Sequence, residues 1–222
     1  SGDVFIDLRK LVSGYEDVVK AGVRLKNQRA SLFRAKGRDK REKRLEDRLE
    51  GFVLEGIEGS IELYERQKKS YEEEMGKLSR EHLMIRNLDS IPGIGKIEAV
   101  KVAARVVDPK RFGDKGKWLS YCGLIRHDRM SGGRSYGKKD PRYCRMMKSV
   151  FKTAALNVIG KNAKGLFREY YEDLMSEKGY SEDRARHALA RRIAVIALGV
   201  MKSGKGYKPK RRLECNKMQA DL

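Results

Sequence analysis

Residues 45–85 read LEDRLEGFVLEGIEGSIELYERQKKSYEEEMGKLSREHLMI. Leu45, Leu49, Phe52, Val53, Ile57, Ile61, Tyr64, Tyr71, Met75, Leu78, His82 and Ile85 lie along one seam at helical spacing, and the intervening positions are rich in Glu, Lys and Arg. A single narrow seam over about forty residues suits a coiled coil or a long antiparallel helical hairpin. Gly51, Gly56 and Gly59 weaken its middle and are where a bend would fall. A solvated spacer helix is the plainer reading, and in either case the segment's task is spacing or oligomerisation. Upstream, residues 38–44 are a run of charges. Before them Leu8, Leu11, Val12, Tyr15, Val18, Val19, Leu25, Leu32 and Phe33 predict a helix over 4–36, with Gly37 as its stop.

Downstream the character changes. Residues 1–87 carry 20 Lys and Arg against 17 Asp and Glu; residues 88–222 carry 31 against 14, a net +17. Helices are expected over 97–107, 143–159, 165–177 and 181–203, the last with Ala185, Ala188, Leu189, Ile193, Ile196, Ala197 and Val200 on one face. A Gly- and Arg-rich stretch, 113–141, separates the first two, and a basic tail with Lys205, Lys208, Lys210, Arg211 and Arg212 follows the last. The expected class is mainly α: long coiled-coil helices over 1–87, then a helical domain over 88–222.

Charge so concentrated in one half points to a polyanion held there. A membrane is not expected: the longest apolar stretch, Ile193 to Met201, is far too short to span a bilayer, and no basic amphipathic anchor or signal peptide stands out. Cys122, Cys144 and Cys215 form no C-x-x-C pair, and His82, His127 and His187 are not spaced around them as zinc ligands are. Buried or free thiols in a reducing cytoplasm are expected, with no metal and no cofactor held by this chain.

Two stretches carry chemistry. The first, residues 88–99 (LDSIPGIGKIEA), reads as a helix-hairpin-helix element. Gly93 and Gly95 permit a tight turn, and the following helix would present its free N–H groups to an anion. Ile91 and Ile94 would anchor the turn, while Lys96 and Lys101 add charge. Such an element grips phosphates and reads no bases; the bland alternative is a purely structural hairpin. The second stretch joins LSYCGLIR (119–126) to MSGGRSYGKK (130–139). From Arg126 to Arg145 it holds seven basic and two acidic residues. A serine between glycines and arginines is suited to attack a phosphodiester, because backbone can approach closely and guanidinium groups neutralise charge growing on phosphorus. By itself an S-G-G sequence is more often just a turn.

The ordered set I-P-G-I-G (91–95), R-F (111–112), Y-C-G-L (121–124), S-G-G (131–133) and an Arg-containing helix ending in A-A (154–155) resembles the transposase domain of the insertion-sequence 110 family, which includes the Piv-type DNA invertases. Leu8 to Val12, Lys26-Asn27, Arg184-Ala185, residues 190–192 and Tyr207 extend the resemblance over nearly the whole chain. It implies an N-terminal RuvC-like domain with four acidic residues holding divalent metal (Mg²⁺), then a coiled coil, then a serine domain. It also implies oligomers that move an element between DNA sites, in many cases guided by a bridge RNA. The family's catalytic serine precedes the glycine of the S-G motif, which is Ser131 here. Arg126, Arg134, Lys138 and Arg145 are expected to serve phosphate.

Three departures accompany the resemblance. Asp3 and Asp7 lie on an expected helix and cannot replace four carboxylates on a sheet, so this chain alone is expected to be inactive. The family's lysine-x-glycine-asparagine reads Lys139-Asp140-Pro141-Arg142, and Ser135 is a rival nucleophile. The competing readings are a non-catalytic nucleic-acid-binding and oligomerisation module, and a regulatory fragment that mixes with intact transposase.

Overall fold

The computed structural model describes residues 2–35, 37, 47–139, 142–160 and 163–209, with side chains from residue 4 onward. The charged run at 38–44, Leu45, Asp140-Pro141, Cys215 and tail residues Lys210, Arg211 and Arg212 lie outside the described residues. The described chain is mainly helical and divides into two compact units, Ser1–Lys77 and Leu78–Leu222.

The first unit is built on α1 (Gly2–Ala35) and most of α2 (Arg48–Glu81). They run antiparallel: Tyr15 Oη donates to Glu72 Oε1 (3.0 Å), Lys26 pairs with Glu65 (2.6 Å), and Arg29 pairs with Glu58 (2.9 Å). Leu8, Val12, Tyr15 and Phe33 of α1 and Leu54, Tyr64 and Met75 of α2 are buried. Tyr64 and Tyr71 lie over Gly22 and Gly14, where a larger residue would collide with the rings. The α1 reading holds to its end, where Gly37 N–H returns to Arg34 O (3.0 Å).

The expected seam on α2 needs correcting at its start. Leu49, Phe52 and Val53 are 67%, 75% and 48% exposed, whereas Leu54 is buried, so the inner face begins at Leu54 and continues through Ile57, Ile61 and Tyr64. Leu54 was hidden in an apolar cluster, 52–54, whose members point different ways at 100° per residue. The helix also runs without a break through Gly51, Gly56 and Gly59.

The second unit contains α3 (Leu83–Asp89), α4 (Lys96–Val106), a 3-10 turn (Pro109–Arg111), α5 (Lys115–Tyr121), β1 (His127–Ser131), β2 (Arg134–Lys139), α6 (Arg145–Asn157), α7 (Leu166–Ser176) and α8 (Glu182–Ser203). It begins before residue 88 because α3 packs on α4. Helix α8 is the hub, touching α3, α5, α6, α7 and the 3-10 turn. Its predicted face is only part of what it buries. Ala190, Ala194, Leu198 and Met201 are also covered, and small alanines let neighbours approach from several sides. Trp118 is fully buried among Phe112, Tyr121 and Phe151 and donates its indole N–H to Ala194 O (2.7 Å), tying α5 to α8. Past the left-handed cap at Gly204, the chain returns to α3: Asn87 Nδ2 donates to Gly204 O (2.8 Å) and Tyr207 N–H to Ser90 Oγ (2.7 Å). Among the described residues no helix is long and apolar enough to cross a membrane.

Candidate functional site

The serine-bearing stretch is a β-hairpin standing on a fixed root. Asp114 caps α5 by accepting from Lys117 N–H (2.8 Å), a bond to the charged carboxylate that lowers the Asp114 pKa. At the other end of α5, Leu124 N–H reaches Leu119 O (2.9 Å), and Cys144 N–H reaches Tyr121 O (2.9 Å). The second bond brings the end of the stretch back to its beginning. Tyr143 lies against Gly123 there, and burial raises the pKa of the Cys122 thiol. From this root β1 and β2 pair antiparallel. They are joined by Gly132 and Gly133, whose φ angles of 54° and 74° are the pair a two-residue type I′ turn requires.

The register sorts the side chains. Ser131 stands opposite Arg134, Met130 opposite Ser135, Asp128 opposite Lys138 and His127 opposite Lys139, with a bulge between Asp128 and Met130. Directly opposed residues share a face and successive residues alternate. Ser131 and Arg134 therefore lie on one face and Met130, Ser135, Asp128 and Lys138 on the other; the extra residue in β2 at the bulge returns Lys139, with His127, to the serine's face. Every residue of both strands is exposed. Ser120 Oγ lies 2.9 Å from His127 Nε2, which fastens the base of β1 to α5. Arg126 is at the start of the hairpin and Arg145 opens α6. A helix N-terminus carries partial positive charge, yet the first turn of α6 holds no acid and is flanked by Arg142, Arg145 and Lys148. Among the described residues no side chain hydrogen-bonds Ser131 Oγ.

The other expected phosphate contact is the link between α3 and α4. Ile91 N–H bonds Leu88 O and Ile94 N–H bonds Ile91 O, both at 3.0 Å, and both isoleucines are buried as expected. Gly93 is needed at φ +89°, and its carbonyl accepts from Asn157 Nδ2 (3.2 Å). Gly95, at φ −90°, is the N-cap of α4 and has ordinary extended backbone. Lys96 is exposed and Lys101 half-buried. Glu98 occupies the first turn of α4, and its carboxylate lies 3.2 Å from where a Gly95 Cβ would be. A carboxylate of the protein's own thus stands beside the helix end that a phosphate would approach.

Ser131, Arg134 and Lys138 lie on the hairpin, Arg126 precedes its first strand, and Arg145 opens α6. Gly93 packs at the other end, against Ala154 and Val158. At 1.5 Å per residue, roughly 13 Å of helix separates Arg145 from Ala154. Lys148 and Lys152 on α6 and His187 and Arg191 on α8 were not read from the sequence as phosphate contacts, although each pair has the four-residue spacing of a shared helix face. Among the described residues no three His, Cys, Asp or Glu side chains come together to hold a metal ion. The described carboxylates do not fit the divalent-metal site of the resemblance.

Residues 85–172, from α3 into α7, match the model of the transposase IS116/IS110/IS902 family. The chain is also similar to the insertion element IS110 uncharacterized 43.6 kDa protein of Streptomyces coelicolor, at 26% identity over 156 residues. That alignment covers 70% of this chain and 38% of the Streptomyces protein. The chain therefore spans well under half the length of that relative.

Proposed function

We propose that this chain is the assembly and serine-bearing part of a DNA transposase or recombinase, with Ser131 as its nucleophile. The observation that carries the reading is Ser131 at the tip of an exposed cationic hairpin, facing Arg134, inside the segment similar to the transposase family model. Ser131 Oγ bonds to a DNA phosphorus while the bond from phosphorus to a deoxyribose oxygen breaks. That oxygen leaves as a hydroxyl after taking a proton. Attack by a deoxyribose hydroxyl of another strand reverses the step, joins the new strand and frees Ser131. Arg134, on the serine's face, counters the charge that grows on the phosphoryl oxygens, and Lys138 adds positive charge from the other face of the hairpin. Arg126 and Arg145 hold the flanking backbone, and the α3–α4 turn with Lys96 and Lys101 grips phosphates farther along as a helix-hairpin-helix.

No side chain among the described residues hydrogen-bonds Ser131 Oγ, and on this reading the base that takes its proton is supplied elsewhere in the assembly. This accords with a RuvC-like domain that supplies Mg²⁺ chemistry, and with inactivity of this chain alone. DNA is the substrate, a bridge RNA the guide and a second copy the assembly partner. The alternative is a non-catalytic binding and oligomerisation module.

A recombination assay on donor and target plasmids, using protein with the upstream domain, separates these readings. Ser131→Ala is expected to lower product at least about a thousandfold, as loss of a nucleophile does. Ser135→Ala, on the opposite face, is expected to retain activity. Loss with Ser135→Ala alone moves the nucleophile. Full product from both variants leaves a binding module.

A further inference from the structure

We propose that Lys148 and Lys152 of α6, with Arg191 and His187 of α8, form a second binding site for a nucleic-acid phosphodiester backbone. The inference rests on the nucleic-acid reading above and adds to it a place and a proton linkage. Arg145, Lys148 and Lys152 are spaced three and four residues apart, so they line one face of α6, while Met147, Val150, Phe151 and Ala154 bury another. His187 and Arg191 are one turn apart on α8, and α6 and α8 pack together. Lys148 is held by its position over the Tyr143 ring, 4.5 Å from the centroid. Earlier in α8, Arg186 pairs with Glu182 and Asp183. Lys148, Lys152 and Arg191 have no carboxylate partner among the described residues. The uncompensated charge thus converges where the two helices meet.

His187 sits inside this charge. Its Nε2 is 2.9 Å from Leu124 O. A carbonyl only accepts, so Nε2 carries the hydrogen and Nδ1 keeps the lone pair. The groups acting on the ring are Arg191 from its own helix, Lys148 and Lys152 from α6 and the Leu124 carbonyl from the hairpin root. Burial first, and then those three cations, hold its pKa below the ordinary 6.5, while the carbonyl works in the opposite sense. A phosphate seated between the cations removes part of their repulsion and favours imidazolium. Binding therefore takes up a proton, and affinity rises as pH falls toward and below 6.5. Because His187 holds Leu124, the site also adjoins the root of the Ser131 hairpin.

The test uses the whole chain, a labelled DNA duplex of about twenty base pairs and an RNA hairpin, with binding read by fluorescence anisotropy from 50 to 200 mM salt. Each duplex phosphate contact contributes about 0.9 to the slope of log affinity against log salt, so Lys152→Gln/Arg191→Gln should flatten that slope by about 1.8. Wild type should bind more tightly at pH 6 than at pH 7.5, by no more than about tenfold per pH unit, the limit for one proton. His187→Gln should lose that dependence. In wild type the His187 ring resonances, followed by NMR, should move toward imidazolium when duplex is added at constant pH. Flattening with one probe alone identifies whether DNA or RNA occupies the site. An unchanged slope, with His187 insensitive to both probes, overturns this site but leaves nucleic-acid binding standing. Absence of salt-dependent binding by wild type to either probe overturns both.

Discussion

At Gly93 the backbone sits at φ +89°, and a Cβ there would run into the Ala154 carbonyl and lie 2.7 Å from Val158 Cγ1. The glycine is thus required by the end of α6, a contact within the protein, whatever else the turn binds. Gly93→Ala combines a left-handed alanine with overpacking and should cost about 2–4 kcal/mol. Urea unfolding followed by the fluorescence of the single tryptophan, buried Trp118, reads this directly. Gly95→Ala is the contrast, with ordinary backbone and only the Glu98 carboxylate near. Titration at His187 makes another prediction at this scale. Its folded pKa lies below the ordinary value, so above pH 6.5 both folded and unfolded forms are neutral and stability is full. As pH falls through 6.5 toward the folded pKa, the unfolded chain takes up the proton first and stability declines. The wild-type urea midpoint should therefore fall more between pH 7.5 and pH 5.5 than that of His187→Gln.

Among the elements, α5 is short and its hold on α8 rests largely on one side chain. Trp118→Ala removes a fully buried ring, its contacts with Phe112 and Phe151 and the indole bond to Ala194 O, and should destabilise the second unit by about 3–5 kcal/mol. With the tryptophan gone, calorimetry is the suitable measurement. It should show the transition of residues 78–222 shifted down, with the antiparallel pair α1–α2 little affected. The long helices were legible because their apolar residues repeat at helical spacing, and α1 closes at Ala35, just ahead of the Gly37 that its sequence marks as a stop. Helix α8 was recognised, but periodicity marks one face and α8 is covered on several. The β-hairpin was missed for the opposite reason. Both its faces are open to solvent, so β1 and β2 lack the alternation of apolar and polar residues that signals a half-buried strand. The signal present was Gly132-Gly133 between two polar runs, a two-residue hairpin turn. The same limit applied to the site: the serine and its arginines could be named from the motif, but which of them share a face depends on a register that side-chain burial does not enforce.

For the whole molecule the decisive feature is that α2 carries two stripes. Leu54, Ile57, Ile61 and Tyr64 lie on the side facing α1, and Leu49, Phe52, Val53 and Leu63 are exposed on another. Leu49, Phe52, Gly56, Gly59 and Leu63 recur at intervals of three and four, the spacing of a helix-packing seam, and the glycines would admit a close neighbour. A Phe 75% exposed, flanked by exposed Leu and Val, is a surface that association would cover. On the proposed recombinase reading, self-assembly through this stripe would bring two serine hairpins to one DNA exchange. Sedimentation equilibrium on the whole chain should give a mass that is a multiple of 25.4 kDa, and Phe52→Glu/Leu63→Glu should reduce it to the single chain. Both residues project away from the Tyr64 and Met75 core, so the helical circular dichroism should change little. A mass that stays multimeric in the double variant moves the contact elsewhere. A wild type that is already monomeric removes assembly through α2, and on the proposed reading two serine hairpins would then have to be brought together by the nucleic acid itself.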